Sequence, residues 1–323
     1  MSRESAFIDR LRAIATHPGA RALRDDAAVL PAPIGRDLVF THDMLVAGVH
    51  FLPADPPGDV AWKLLAVNLS DLAAKGAEPI GVLMGYGLTG DADWEGAFAD
   101  GLARALAHFD VPLLGGDTVA QPASDARVLG LTAIGQVAPG GAPDRRGAQA
   151  GDILFVTGPI GDAGLGLRIA RGEIEGPRRL LKAYRLPMPR LREGRAIAPL
   201  VHAMADISDG LLIDADRIAR ASGLALSIDL DTVPLSREAE AYGGDRAARL
   251  AAVTAGDDYQ LVFAASSSTI GALQTIAGDL RVTIAAVGRF EAGAGLSLGD
   301  RDGPVQLPAR LGYEHGPKTD QHN

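Results

Sequence analysis

The sequence predicts an α+β protein made of two α/β domains, and three observations favour this class. A chain of 323 residues with 47% hydrophobic side chains is long enough for two cores of typical size. Apolar strand-like runs and helical patterns occur in both halves, yet several strands follow one another without a helix between them. Residues 139–151 are rich in Gly, Pro and Arg and separate the halves. We therefore predict domains at residues 1–138 and 139–323.

The first domain is predicted to contain a mixed sheet. Short apolar runs between turn residues predict strands at residues 38–40, 81–88 and 128–137. Apolar residues at helical spacing predict helices at residues 60–75 and 94–109, and Pro79 follows the first of them. The amino-terminal fifteen residues also combine charge with apolar side chains at helical spacing.

The second domain is predicted to be a sheet covered by helices. The same patterns predict strands at residues 153–157, 224–230, 259–264 and 282–290. They predict helices at residues 193–204 and 211–221. Residues 316–323 are polar, and we expect this tail to be disordered.

The composition argues against several classes of protein. The chain has no cysteine, which removes disulfides and thiol catalysis and fits a reducing compartment. A net charge of -9 argues against a nucleic-acid surface. No apolar run approaches the length of a membrane span, and the amino terminus lacks the apolar core of a secretory signal. We expect a soluble, cytoplasmic protein with no nucleic-acid or membrane partner.

Acidic segments beside turns or at the ends of apolar runs are the strongest functional signal. Carboxylates at the ends of strands are costly to bury and repel one another unless a cation holds them together. Hard oxygen ligands suit Mg²⁺ or Ca²⁺, and Mg²⁺ in turn suggests a nucleotide polyphosphate. The five segments lie at residues 24–27, 41–43, 68–71, 115–118 and 206–210.

The predicted helix at residues 60–75 carries one of these acids on its apolar side. Helical spacing places Asn68 and Asp71 on the same stripe as Leu64 and Leu72. The alternative is an ion pair with Lys75 four residues on, which would stabilise the helix by only about 0.2 to 0.5 kcal/mol. We favour a metal ligand, because a weak surface pair does not explain an inward carboxylate.

Two glycines precede Asp117, and three polar residues precede the predicted helix at residues 211–221. Glycine allows close approach to a ligand, so Asp117 is predicted to project from a strand end, although a turn bonded to its own backbone is the alternative. Ser208 or Asp209 could be only a helix N-cap, which leaves Asp206 unexplained. The start of this helix is also a place where phosphate oxygens could meet backbone N–H groups.

Other nucleotide-binding and nucleophile motifs are absent from the sequence or incomplete in it. The loop at residues 158–164 lacks the G-x-G-x-x-G spacing of dinucleotide-binding proteins, and we interpret it as a turn with close helix packing. The chain contains neither a G-x-x-x-x-G-K-[ST] loop nor the H-R-D and D-F-G set of protein kinases. Ser208 has no evident His partner for nucleophilic catalysis.

Taken together, six segments resemble the thiamine-monophosphate kinase family, in the superfamily that includes aminoimidazole ribonucleotide synthetase. They are DDAAVL, THDMLVAGVHF, AWKLLAVNLSDLAAKGAEP, LLGGDT, ISDGLLID and GDDYQLVF, in the family's order and approximate spacing over nearly the whole chain. The resemblance implies ATP-dependent phosphorylation of thiamine monophosphate to thiamine diphosphate by direct in-line transfer, with several Mg²⁺ ions. It also implies a homodimer whose amino-terminal strands form a shared barrel, with active sites in grooves near that interface.

The resemblance also implies roles for individual residues. The Mg²⁺ ligands of the family fall on Asp26, Thr41, Asp43, Asp71, Asp117, Asp206 and Asp209. Nucleotide contacts fall on Gly116, Asp117, Arg145 and Ser208, and substrate contacts on His50, Asp257 and Tyr313.

The chain departs from the family pattern at four of its positions. Arg24 replaces a usual Gly, His42 replaces a frequent Thr, and Arg310 lies where an aromatic residue is often found near the carboxyl-terminal Gly-Tyr. Asp257 replaces a Glu, which shortens a substrate contact by one methylene. These changes affect substrate recognition more than the metal ligands.

The predicted reaction needs no general base. A phosphate monoester has a second pKa near 6, so the acceptor is already a nucleophilic dianion at neutral pH. Phosphoryl transfer then depends on positioning and on neutralising charge, which many carboxylates around metal ions can supply. Two alternatives remain: a ring-closing ATP-dependent ligase of the same superfamily, and a non-catalytic nucleotide-binding sensor.

Overall fold

A computed structural model describes residues 3–122 and 124–314, and it confirms a two-domain α+β fold with mixed sheets. The predicted disordered tail at residues 316–323 lies outside the described residues. The elements of the first domain are α1 (Arg3–Ile14), β1 (Asp37–Val46), α2 (Pro57–Ala74), β2 (Glu78–Leu88), α3 (Ala92–Phe109), β3 (Leu113–Ala120) and β4 (Val128–Val137).

The four strands of the first domain form one sheet in the order β1-β4-β2-β3. β4 is antiparallel to both of its neighbours, whereas β2 and β3 run parallel, so the predicted mixed sheet is confirmed. Helices α2 and α3 cover one face, where alternate strand residues such as Leu45 and Leu131 are buried. The opposite face of β1 leaves Leu38, Phe40 and Met44 exposed by 45%, 61% and 50%.

The elements of the second domain are β5 (Ile153–Thr157), α4 (Asp162–Ala170), α5 (Arg178–Arg185), α6 (Leu191–Ile197), β6 (Ala203–Asp206), α7 (Leu211–Ser222), β7 (Leu224–Asp229), α8 (Arg237–Glu240), α9 (Arg246–Thr254), β8 (Leu261–Ala265), α10 (Ile270–Leu280), β9 (Ile284–Ala292), β10 (Gly295–Asp300) and β11 (Gly303–Val305). The seven strands form one sheet in the order β11-β10-β7-β9-β5-β8-β6. Its residues alternate between two cores: Val262 and Ala264 belong to one, and Leu261 and Phe263 to the other, so this sheet is covered on both faces.

Three sequence predictions about these elements are wrong. The helix predicted at residues 193–204 ends at Ile197; because Pro199 has no N–H for the α-helical ladder, the chain forms a short 3-10 turn (Ala198–Leu200) before it enters β6. β1 does not stop at Phe40 but continues to Val46, since β4 pairs with it over ten residues. The acidic segments at residues 41–43 and 115–118 therefore lie inside strands β1 and β3 and not at strand ends.

Helix α2 lies between the two domains. Most of its residues are buried, which is typical of a helix that packs on several sides. Its middle contributes Leu64 and Leu65 to the first core, and its carboxyl-terminal Ala73 and Ala74 pack into a core of the second domain. Polar side chains on α2 can thus reach residues of both domains.

Among the described residues, no helix is long and apolar enough to cross a bilayer.

Candidate functional site

Four carboxylates lie near enough to interact where α2 passes between the domains, and we call them the seam cluster: Asp43, Asp71, Asp206 and Asp209. β1 carries Asp43, α2 carries Asp71, and β6 ends at Asp206. Thr41 Oγ1 donates a hydrogen bond to Asp71, and Ser70 Oγ donates one to Asp206 Oδ2 at 2.6 Å. The structure therefore brings together five of the seven predicted metal-ligand positions, counting Thr41.

The members of the seam cluster repel one another. Burial raises the pKa of Asp43 to about 6, with further contributions from Asp71 and Asp209. Burial also raises the pKa of Asp206 to about 8, and Asp71 and Asp43 add to the shift while the bond from Ser70 opposes it. At neutral pH, protons or a cation must offset part of this negative charge.

The ion-pair alternative for Asp71 is not formed among the described residues. Lys75 Nζ instead donates to two backbone carbonyls, Pro143 O at 3.0 Å and Met204 O at 3.3 Å. Burial lowers the pKa of Lys75, and the charge of Arg145 lowers it further. Arg145 itself is exposed.

A preformed metal site is not found in residues 3–122 and 124–314, where no three His, Asp or Glu side chains are grouped to hold an ion. Asp209 in particular has a cationic partner, because Arg217 Nη1 contacts its Oδ2. The donor chemistry of the seam cluster fits Mg²⁺, since its ligands would be carboxylate and hydroxyl oxygens. The described geometry does not gather these oxygens around one point.

The start of α7 differs from both sequence interpretations. The N-cap is Gly210, with no side-chain cap, so neither Ser208 nor Asp209 caps the helix. The backbone N–H groups of residues 208, 209 and 210 all donate to Asp214 Oδ2, at 3.1, 3.0 and 3.3 Å. Because this buried carboxylate already occupies them, these N–H groups do not face outward toward a phosphate.

The start of α4 uses the same arrangement. Asp258 accepts hydrogen bonds from the backbone N–H groups of Gly161 at 2.7 Å and Ala163 at 3.2 Å. Burial raises the pKa of Asp258 to about 8, although these two bonds oppose the shift. The loop at residues 158–164 is thus a turn held by an internal carboxylate.

Three predicted site residues lie apart from the seam cluster, and we call them the open-face group: Asp26, Gly116 and Asp117. They line a cavity of about 750 Å³ on the face of the first sheet opposite α2, together with His42. Gly116 is required there for packing, because a Cβ atom would lie 2.0 Å from Met84 O. Asp117 is exposed, and its Oδ1 accepts from the backbone N–H of Thr118 at 2.9 Å.

Asp43 and Asp117 belong to opposite edges of one sheet. β4 and β2 separate their strands, so three strand spacings place the two backbones about 14 Å apart. Their side chains also face opposite sides: Asp43 lies two residues before the buried Leu45 and interacts with Asp71 of α2, whereas Asp117 lines the open cavity. A single chain therefore does not bring all the predicted metal ligands together.

Two of the three predicted substrate residues are joined by a lysine. Lys63 Nζ donates to the backbone carbonyl of His50 at 3.0 Å and to Asp257 Oδ2 at 2.8 Å. Tyr313 lies beside the segment before α7, where its backbone N–H donates to Asp209 O at 2.9 Å. Its side chain is 46% exposed.

Comparison with known proteins identifies the family. Sequence profiles for the N-terminal and C-terminal domains of AIR synthase related proteins match residues 24–137 and 149–301. Thiamine-monophosphate kinase of Caulobacter vibrioides is 42% identical over 306 residues, covering 93% of this chain and 86% of that protein. The chain belongs to the thiamine-monophosphate kinase family.

Solved structures of thiamine-monophosphate kinases have the same fold. The crystal structure of the enzyme from Stenotrophomonas maltophilia K279a superposes with a TM-score of 0.83 at 37% identity, over 91% of this chain and 95% of that chain. A structure of AaThiL complexed with AMPPCP and TMP superposes with a TM-score of 0.76 at 29% identity, over 90% of this chain and 91% of that chain.

Four polar residues of this thiamine-monophosphate kinase family member were missed by sequence reasoning: Lys63, Ser70, Asp214 and Asp258. Lys63 offered a signal, because helical spacing places it beside Val60 and Val67, and all three prove to be buried. Ser70, Asp214 and Asp258 were hidden beside acids already assigned to other roles. Their partners come from distant parts of the chain or from backbone groups, which spacing does not reveal.

Proposed function

We propose that this protein phosphorylates thiamine monophosphate to thiamine diphosphate with ATP as the phosphate donor. The observation that carries the proposal is the superposition on AaThiL complexed with AMPPCP and TMP over most of both chains. The seam cluster supports it, since clustered carboxylates beside the joined pair His50 and Asp257 suit a site for two phosphorylated molecules. The relative from Caulobacter vibrioides supports the same assignment.

We propose Mg²⁺ as the cation that offsets the charge of the seam cluster. Asp43, Asp71 and Asp206 would hold it, and Thr41 lies beside Asp71 as a further oxygen donor. When bound, Mg²⁺ supplies neutralisation of phosphate charge. Without a cation, the pKa of Asp206, raised to about 8, indicates that this side chain would retain its proton at neutral pH, whereas Asp43, with a pKa of about 6, would be mostly ionised.

We propose direct in-line transfer without a covalent enzyme intermediate. The acceptor phosphate is a dianion near neutral pH, so no side chain need remove a proton from it. The residues of this chain would act by holding the two substrates in line: Ser208 and Arg145 on the nucleotide side, His50 and Asp257 on the thiamine side. Asp257 N donates to Ser208 O at 2.8 Å, which links these two sides directly.

We also propose a homodimer that closes the first sheet into a shared barrel. The open face of β1 exposes three large apolar side chains, and β1 and β3 are edge strands of the four-stranded sheet. Two such sheets related by a twofold axis could close with β1 of one copy beside β3 of the other. That pairing would bring the partner's Asp117 to the strand that carries Asp43.

Mass spectrometry of a reaction with ATP, Mg²⁺ and thiamine monophosphate tests the activity. We expect equal amounts of thiamine diphosphate and ADP, no phosphorylation of thiamine itself, and loss of product on chelation. Binding of ATP without any turnover at high enzyme concentration would contradict the proposal and favour a sensor. ATP hydrolysis that requires a ring-closing substrate, and not thiamine monophosphate, would favour the ligase.

A further inference from the structure

Lys63 is a buried lysine at the seam between the domains. It lies on α2 with 2% of its surface exposed. A buried ammonium group loses its hydration and is retained only where partners replace the lost water. The partners of Lys63 should therefore indicate what the residue does.

The ammonium group of Lys63 contacts three separate segments of the chain. It donates to His50 O at 3.0 Å and to Asp257 Oδ2 at 2.8 Å, and it lies 4.2 Å from the centre of the Tyr184 ring. His50 belongs to the turn after β1, Asp257 to the segment before β8, and Tyr184 to α5. The two hydrogen bonds use two of the three N–H donors of the ammonium group, and the Tyr184 ring adds a cation–π contact.

Asp257 is held on both of its carboxylate oxygens. Tyr259 OH donates to Oδ1 at 3.1 Å while Lys63 contacts Oδ2. Both residues have positive backbone φ, 69° at Asp257 and 48° at Tyr259, a conformation that non-glycine residues keep only where the surroundings fix it. The side chain of Asp257 is still 29% exposed, so lone pairs of the carboxylate remain open to a ligand.

We propose that Lys63 is a positioning residue that fixes the thiamine-binding end of the site. It sets the direction of the Asp257 carboxylate and anchors the turn that presents His50. Aspartate has a short side chain, so the direction in which its carboxylate points depends on such support. The proposal rests on the proposed function, because Lys63 acts through residues assigned to thiamine monophosphate.

Kinetics of Lys63→Met test this role against a purely structural one. We expect the KM for thiamine monophosphate to rise at least about tenfold, because the carboxylate loses a charged hydrogen-bond partner. The KM for ATP should change by less than about twofold, since the seam cluster does not contact Lys63. If Lys63→Met does not fold, Lys63→Gln keeps an amide donor one bond shorter, and we expect a smaller rise in the same KM.

Arg185→Met is the matched control. Arg185 Nε pairs with the buried Asp55 at 2.8 Å across the same seam, and it contacts neither His50 nor Asp257. Its loss should lower the melting temperature but leave the KM for thiamine monophosphate within about twofold of wild type. An equal rise in KM in this control would mean that general loosening of the seam, and not Lys63, is responsible.

A double-mutant cycle with Asp257→Asn provides the second readout. If Lys63 acts through Asp257, the double variant should bind thiamine monophosphate little worse than the weaker of the two single variants. Strictly additive effects, or an unchanged KM in Lys63→Met, would overturn the inference while leaving the proposed function intact. A wild-type protein that binds ATP but neither binds nor phosphorylates thiamine monophosphate would instead overturn the proposed function, and this inference with it.

Discussion

The seam cluster and the open-face group contain acids that sequence reasoning assigned to one metal site, yet their surroundings differ. The seam cluster is partly or fully buried between two domains, and burial together with neighbouring carboxylates raises the pKa values of Asp43 and Asp206. The open-face group lines a cavity on the other face of the first sheet, and all three of its residues are exposed. Folding of one chain is enough to bring the first group together, whereas the second would be completed only in the homodimer proposed above.

The largest expected effect comes from removing one charge in each group. Asp71→Asn and Asp117→Asn should each lower turnover by about 100-fold, because loss of one electrostatic contact to transferring phosphate costs about 3 kcal/mol. Without Mg²⁺, Asp71→Asn should be as stable as wild type or more so, since one repelling charge is gone. Melting temperature and turnover are measured with and without Mg²⁺, and Asp302→Asn, at an exposed turn, is the control.

The opposite result would support structural roles for these acids. If Asp71 and Asp117 only bond to Thr41 and to the Thr118 backbone, each variant should lose roughly 1 kcal/mol of stability with little change in turnover. Destabilised but active variants that still gain stability from Mg²⁺ as wild type does would exclude both acids from the metal site.

Mixing two inactive variants tests whether the seam cluster of one subunit meets the open-face group of its partner in a dimer. Asp43→Asn and Asp117→Asn are unfolded together and refolded, or co-expressed, so that subunits exchange. If the partner's Asp117 completes the site of Asp43, each mixed dimer has one intact site, and about a quarter of wild-type turnover should return. Light scattering should show a dimer throughout. No recovery in a verified mixture would place Asp43 and Asp117 of the same chain in one site, or in no common site.

The sequence predicted the long elements and the seam cluster better than the details around them. Helix α2 and Asp71 on its inner side followed from helical spacing, and the structure confirms the inward position next to Thr41. The prediction of one helix over residues 193–204 was wrong because β6, which takes up the end of this range, is only four residues long and is defined by its pairing with β8. The carboxylates of Asp214 and Asp258 could not be foreseen, since their partners are backbone N–H groups that carry no sequence signal.

The smallest expected effect is a pH dependence of stability that comes from the seam cluster and not from the open-face group. The pKa of Asp206 is raised to about 8 in the folded protein, whereas an unfolded aspartate titrates near 4. The folded state therefore binds more protons at this group between these values, so the contribution of Asp206 to stability is greatest below about pH 4 and falls as the pH rises toward about 8. In a chelator, we expect the melting temperature to decrease by a few degrees between about pH 6 and about pH 9.

Three variants resolve the source of that decrease. Asp206→Asn should flatten it and should also weaken the recovery that Mg²⁺ gives at the higher pH, because binding to the folded state stabilises that state. Asp258→Asn, whose pKa is likewise raised to about 8 by burial but which lies away from the seam cluster, should flatten the decrease and leave the Mg²⁺ effect unchanged. Asp117→Asn is the control from the open-face group, since it removes an exposed carboxylate outside the seam cluster. If Asp206→Asn responds to Mg²⁺ as wild type does, Asp206 neutralises its charge by protonation alone, and the seam cluster binds metal through its other members.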